Sequence, residues 1–140
     1  MTKNYKILTS YIRDVSSKIN GTENFIYLKE NIPLYSLGID IKTFPLKNNM
    51  AEVNVKLTFD DKKAIEKKAI FEMTHTTVIR VEESAVNKEE LKKIFLCDVP
   101  TEMYPEIEKK FFEIVKSIGY PQIKLGKKIN FKEQFEKTQK

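Results

Sequence analysis

The spacing of apolar side chains changes once along this chain, and that change limits the folds open to it. Up to about residue 83 the apolar residues recur mostly at every second position, the repeat of strands with one buried and one wet face. After Ala85 they recur at every third or fourth position, the repeat of amphipathic helices. Strands followed by helices, rather than alternating with them, describe an α+β domain in which helices pack on one face of a four-stranded antiparallel sheet. With 140 residues, 41% of them hydrophobic, the chain suffices for one core, so residues 1–140 are read as a single domain.

The first strand is expected over residues 6–19, ending at the turn pair Asn20–Gly21. The segment TENFIYLKENIPL at 22–34 is apolar without a sustained period and carries Pro33, so it reads as an apolar loop or sheet edge. Leu37, Ile39 and Ile41 then alternate with Gly38, Asp40 and Lys42 until Pro45 and Asn48–Asn49 stop the run. The clearest strand is AEVNVKLTF at 51–59, with Val53, Val55, Leu57 and Phe59 on one face and a turn at Asp60–Asp61–Lys62. Its partner, residues 64–83, is too long for one ordinary strand and is expected to bend or bulge near Thr74–Thr77.

Beyond the change of period, Asn87 with Glu90 three residues later forms a capping-box pattern ahead of the stripe Leu91, Ile94 and Phe95. Pro100 is expected to end or restart that helix. A longer one is expected from about Pro105 to Ile118, stopped by Gly119. A loop carrying Tyr120, Ile123 and Leu125 follows, and then a short helix over residues 131–137 with Phe131 and Phe135 one turn apart.

Several chemistries are excluded at this level. One cysteine, Cys97, forms no intrachain disulfide, and with the lone histidine His75 it makes no zinc set. Both read as structural. The four glycines do not stand at the spacing of a phosphate-cradling loop, and Asp60–Asp61, Glu82–Glu83 and Glu89–Glu90 are neighbours at turns or caps that point apart. No cofactor, no metal and no catalytic residue is therefore expected. No apolar run is long enough for a signal-peptide core or a membrane span, which points to a cytoplasmic protein without membrane insertion. The net charge of +5 divides as +3, −1 and +3 over residues 1–50, 51–86 and 87–140, with both signs interspersed, as in EIEKKFFE at 106–113. That is the pattern of a solvated mixed surface, not of a nucleic-acid footprint.

Toward its end the chain carries GYPQIKLGKKINFKEQF at 119–135, which resembles the glycine, aromatic, proline and apolar loop and the Asn–Phe helix start of the SecB protein-export chaperones. YIRDVS at 11–16 is similar to that family's first-strand motif, EVNVKLTF at 52–59 to its third strand, and residues 69–81 to its fourth. LCDVPTEMYPEI at 96–107 resembles the Cys, Pro and second Pro spacing that opens its long helix. Each motif alone is weak; their collinearity over nearly the whole chain makes the resemblance specific.

The resemblance implies an ATP-independent holdase, not an enzyme, that assembles as a dimer of dimers and wraps unfolded or nascent polypeptides in apolar grooves, keeping preproteins competent for export. The groove is expected from Phe25, Tyr27, Leu28, Ile32, Leu34, Tyr120, Ile123, Leu125, Phe131 and Phe135, large apolar residues in or beside segments read as loops, where leaving them wet is costly unless they bind something. The plain alternative is that they pad the core. Asp14, Ile70 and Glu72 fall where family members dock the SecA motor, but a further acidic position is Lys18 here, and the chain stops at KTQK, short of the family's extended tail. Both departures weaken the expectation of SecA docking. They favour, as the alternative, a SecB-like chaperone or interaction module dedicated to one partner, such as the antitoxin of a toxin–antitoxin system.

Overall fold

The structure, a computed structural model, describes residues 4–61, 69–82, 87–123 and 131–138. Expectations for residues 62–68, 83–86 and 124–130, Leu125 among them, lie outside the described residues.

The alternation in the middle of the chain becomes β3 (Met50–Asp60), with Val53, Val55, Leu57 and Phe59 buried. β4 (Ile70–Val81) lies antiparallel to it in unbroken register, from Met50 opposite Arg80 to Phe59 opposite Phe71. On the other side β2 (Ser36–Pro45) joins β3 through a hairpin whose tip residues, Asn48 and Asn49, take φ of 60° and 61°. Asparagine tolerates that left-handed backbone, and the resulting twist suits a two-residue hairpin. β1 (Tyr5–Lys18) pairs with β4 and completes the sheet in the order β1-β4-β3-β2.

The irregularity expected in the fourth strand lies opposite it instead. β4 runs straight through Thr74–Thr77, whereas β1 carries an extra residue at Leu8 and again at Arg13. The second bulge sends the Arg13 guanidinium over the face of the sheet away from the helices, where it donates to the Thr76 hydroxyl at 3.0 Å and pairs with Glu52. Thr76 donates in turn to the Asn54 side chain. Two polar residues on the polar face can thus be buried, because each has its hydrogen-bond partner.

The segment 22–34 is not a loop. It forms α1 (Thr22–Glu30) and a 3₁₀ turn (Ile32–Leu34). Phe25, Leu28 and Ile32 stand three and four positions apart and share one helical face, with Leu28 fully buried, while the exposed Ile26 between them blurs the stripe. β1 and β2 are the two edges of the sheet, three strand spacings or roughly 14 Å apart. Nine helical residues span about that distance, so α1 carries the chain from one edge to the other.

The capping expectation holds: the Asn87 side chain accepts from the Glu90 N–H at 2.9 Å and opens α2 (Lys88–Lys93). Pro100 does not break the helix as expected. The chain passes through one wide turn, Ile94–Asp98, in which the Val99 N–H reaches back five residues to the Ile94 carbonyl, and continues into α3 (Val99–Ser117). Proline has no N–H to offer its own i−4 carbonyl, and the extra residue in the turn absorbs the mismatch. Pro105 likewise lies inside α3 and not at its start. Val99, Met103, Ile107, Phe111 and Val115, every fourth residue, are buried against the apolar face of the sheet. α4 (Phe131–Thr138) follows.

A titratable group sits inside this layer. His75, on the helix-facing side of β4, is wholly buried, with Nε2 3.1 Å from the Lys110 ammonium on α3; Lys110 also reaches Glu106 at 3.5 Å. Burial first, and the Lys110 charge second, push the imidazole pKa down from 6.5 to about 4. Between those values the unfolded chain binds a proton that the folded one refuses. Stability is therefore complete above pH 6.5 and falls as pH drops toward 4, by about 3 kcal/mol over the window. Urea titrations across that range should show the loss in the native sequence and a much flatter profile in His75→Gln, which keeps an acceptor for Lys110 without a titrating ring.

Candidate functional site

The end of the sheet where β1 stops and β2 begins gathers aromatic rings from β3, β4, α3 and the segments that precede β2 and follow α3. Tyr35, at the close of the crossing segment, stacks on Phe59 with ring centres 5.2 Å apart. Tyr120 lies 6.2 Å from Phe59 and 6.1 Å from Phe71, and Phe111 of α3 meets Phe71 edge-on at 5.5 Å. These separations are those of offset or edge-to-face pairs, which add to the gain from burial. Two hydroxyls tie the crossing segment to the β3–β4 connection: Tyr27 donates to Asp61 Oδ2 at 2.6 Å, and Tyr35 accepts from the Ala69 N–H at 3.1 Å. The Asp61 bond, and after it burial, raises the Tyr27 phenol to about 12.

α3 closes at this same end. Gly119, at φ 99°, adopts a backbone that side-chain-bearing residues resist. The turn returns the Gly119 N–H to the Lys116 carbonyl and the Tyr120 N–H to the Val115 carbonyl. The Phe25 ring on α1 approaches within 3.9 Å of where a β-carbon on Gly119 would sit, so α1 and the end of α3 are neighbours. Between the last turns of α3 and the segment after it lies a cleft of about 560 Å³, lined by Phe112, Val115, Lys116, Tyr120, Pro121 and Ile123.

The residues expected in a polypeptide groove divide by position. Phe25, Tyr27, Ile32 and Ile123 are half-buried on the core, and Tyr120 and Leu28 are buried. Leu34 is 55% exposed at the end of the 3₁₀ turn. Phe131 stands elsewhere, buried against Tyr104 with ring centres 5.4 Å apart. Tyr104 precedes Tyr120 by sixteen residues, roughly 24 Å of helix, so Phe131 does not share the cleft. The Phe135 side chain lies outside what is described.

Asp14, Ile70 and Glu72 share the sheet face away from the helices. Glu72 is paired opposite Ser16 and bridges to Lys56 at 2.8 Å, and Asp14 and Asp40 add their fields to the same lysine, raising its pKa after the Glu72 bond. Lys18 is paired directly opposite Ile70, beside this acidic group.

Sequence reasoning missed Tyr35 and Asp61, which fix the crossing segment, because a residue ahead of a strand and one in a turn carry no burial signal of their own. It also missed a second apolar cleft of about 380 Å³ at the opposite end of the sheet, formed by Leu46, Met50 and Val81 with Leu91 and Phe95. Among the described residues no group of three or more His, Cys, Asp or Glu could hold a metal ion, and no helix is long and apolar enough to cross a membrane.

Comparison with known proteins bears on this site. The family model described as preprotein translocase subunit SecB matches residues 1–140. A putative protein-export protein SecB of Pelagibacter ubique (strain HTCC1062) is 44% identical over 135 residues, covering 96% of each chain. Among solved structures, a SecB-like chaperone of Mycobacterium tuberculosis, in complex with a peptide from an antitoxin, superposes with a TM-score of 0.65 over 91% of this chain and 92% of that one, at 10% identity.

Tyr27→Phe removes the charge-assisted bond that holds α1 to Asp61 and should lower unfolding stability, read as a downward shift of the urea midpoint at unchanged slope. An unchanged midpoint would mean that the bond does not hold the crossing segment.

Proposed function

The chain belongs to the SecB family, and on that premise we propose that it is an ATP-independent holdase that keeps preproteins unfolded for export. The observation that carries this reading is the cleft at the aromatic end of the sheet, where Phe112 and Val115 of α3 and Tyr120, Pro121 and Ile123 of the segment after it line a concave surface. Extended non-native chains bury apolar side chains on such a surface with little demand for sequence. The family is not a class of enzymes, and the mechanism is physical: several modest contacts, repeated by the copies in an assembly, give avidity without a tight single site. Assembly as a dimer of dimers is supported by the edge position of β1 and by the exposure of Leu8, Tyr11 and Val15 on it. A cytoplasmic location accords with this role.

A second reading rests on the outer sheet face. Lys18 beside Ile70 places a positive charge next to the acidic group that would meet SecA, which supports a partner other than that motor. The structural relative was solved with an antitoxin peptide, and a dedicated antitoxin client is the alternative proposed for this chain.

Light scattering during dilution of a chemically unfolded, aggregation-prone protein tests the first reading. Suppression near stoichiometric amounts is expected, and Ile123→Asp should weaken it about tenfold while leaving far-ultraviolet circular dichroism unchanged. If generic clients aggregate regardless while an antitoxin peptide binds at nanomolar concentration, the dedicated reading replaces it.

A further inference from the structure

The outer face of the sheet, away from the helices, is uneven in charge. Toward the aromatic end it carries Asp14, Asp40 and Glu72, with Lys56 and Lys18 among them. Toward the α2 end, strand pairing sets Lys6 beside Arg80 and Lys42 beside Asn54, and the bulge in β1 lays Arg13 over Thr76. Four bases thus share that half with one acid, Glu52, which Arg13 already holds. Lys6 and Arg80 stand directly opposite one another, both exposed, and among the described residues neither is in an ion pair. Like charges facing each other across two strands lower the stability of the sheet. Apolar side chains lie inside the same half: Val78 and Phe44 stand on either side of Glu52, and the Phe44 ring is 50% exposed. Phe44 also borders a shallow recess of about 250 Å³ whose lining includes Arg13, Lys42 and Asn54.

We propose that the α2-end half of the outer face docks an acidic segment of a partner protein, one that sets carboxylates on either side of an apolar side chain. Charge complementarity names the occupant. A carboxylate shared between Lys6 and Arg80 turns their mutual repulsion into two attractions, and a second one near Lys42 meets a base that has no ion-pair partner among the described residues. The apolar side chain between them covers the exposed Phe44 ring. A nucleic-acid backbone presents unbroken negative charge, and Glu52 in the middle of the patch repels it. The inference stands apart from the holdase reading. The patch lies across the sheet from the cleft beside α3, so an unfolded chain and the acidic partner do not compete for one surface.

The probe is a short fluorescein-labelled peptide with two glutamates on each side of a leucine–phenylalanine pair, read by anisotropy, and its control carries lysines in place of the glutamates. Native protein should bind the acidic peptide about tenfold more tightly than the control, and binding should weaken as sodium chloride is raised. Lys6→Glu gives Arg80 an opposite charge across the strands, so it should raise the urea midpoint and yet weaken acidic-peptide binding about tenfold. Arg80→Glu makes the same pair in reverse and decides the matter should Lys6→Glu fail to fold by circular dichroism. Ile123→Asp, in the cleft, should leave acidic-peptide binding unchanged. Equal binding of the two peptides, undiminished binding by the folded charge-reversal variants, or loss of binding in Ile123→Asp overturns the proposal. Tighter binding of single-stranded DNA or of phosphatidylglycerol vesicles than of the acidic peptide overturns it as well, and assigns the patch to nucleic acid or to a membrane surface. Native protein that binds the acidic peptide in this pattern but does not suppress aggregation supports this inference while overturning the holdase reading.

Discussion

Phe111 is the contact on which the arrangement depends. Its ring stands edge-on to Phe71 at 5.5 Å and to Phe59 at 6.1 Å, so one residue of α3 is locked between two adjacent strands. Phe59 and Phe71 are cross-strand partners, and both are almost wholly buried. With that ring fixed, the four-residue repeat of α3 leaves no choice for the rest of its buried face: Ile107, Met103 and Val99 run toward one end of the sheet, and Val115 and the turn to Tyr120 toward the other. Truncating a ring in such a position costs about 3–5 kcal/mol, a large share of the roughly 5–15 kcal/mol that holds a domain of this size.

How much of this was legible in the sequence depended on whether a pattern was local. The change of period placed the strands before the helices, and β3 was readable because Val53, Val55, Leu57 and Phe59 alternate without interruption. Asn87 and Glu90 gave the start of α2 because a cap is a short-range hydrogen bond. α1 was misread although Phe25, Leu28 and Ile32 do stand at helical spacing; Ile26 and Tyr27 fill the gaps between them, and Tyr27 faces a partner, Asp61, more than thirty residues away. The helix likewise survives Pro100 because the wide turn before it accepts an extra residue, a backbone compensation that composition does not announce. Candidate site residues were legible as a class, large apolar residues near loops, but not by position. Leu28 and Phe131 have the same chemistry as Ile123, and what separates them is which tertiary neighbours cover them.

The two faces of the sheet are built differently, and β1 mediates between them. On the helix side the strands present apolar rows. On the other side Arg13, Glu52, Thr76 and Asn54 form a connected polar network, reached only because β1 gains a residue at Arg13. Without that bulge Arg13 would fall out of step with Thr76, and the buried threonine hydroxyl would lose a partner. The irregularity expected from the sequence in β4 is thus a feature of β1, and it brings Arg13 into the polar network of the outer face.

The two ends of the sheet differ as well, and the difference bears on function. At the end near the start of α2 the chain is tied by polar contacts: the Glu82 N–H donates to the Asn4 carbonyl, and the Asn4 amide and Tyr5 hydroxyl reach Glu90 and Glu102 at 3.5 Å. Such bonds are directional, and replacing them with a passing ligand would need a matching set of donors. The opposite end is closed largely by rings, with the Tyr27 and Tyr35 hydroxyls and the backbone bonds of the Gly119 turn beside them. Ring contacts can be exchanged for the ring of another chain at little cost, because burial of apolar area does not depend on whose side chain supplies it. A protein that must accept many sequences and release them without chemical energy is served by an end at which aromatic rings, more than hydrogen bonds, hold the elements together.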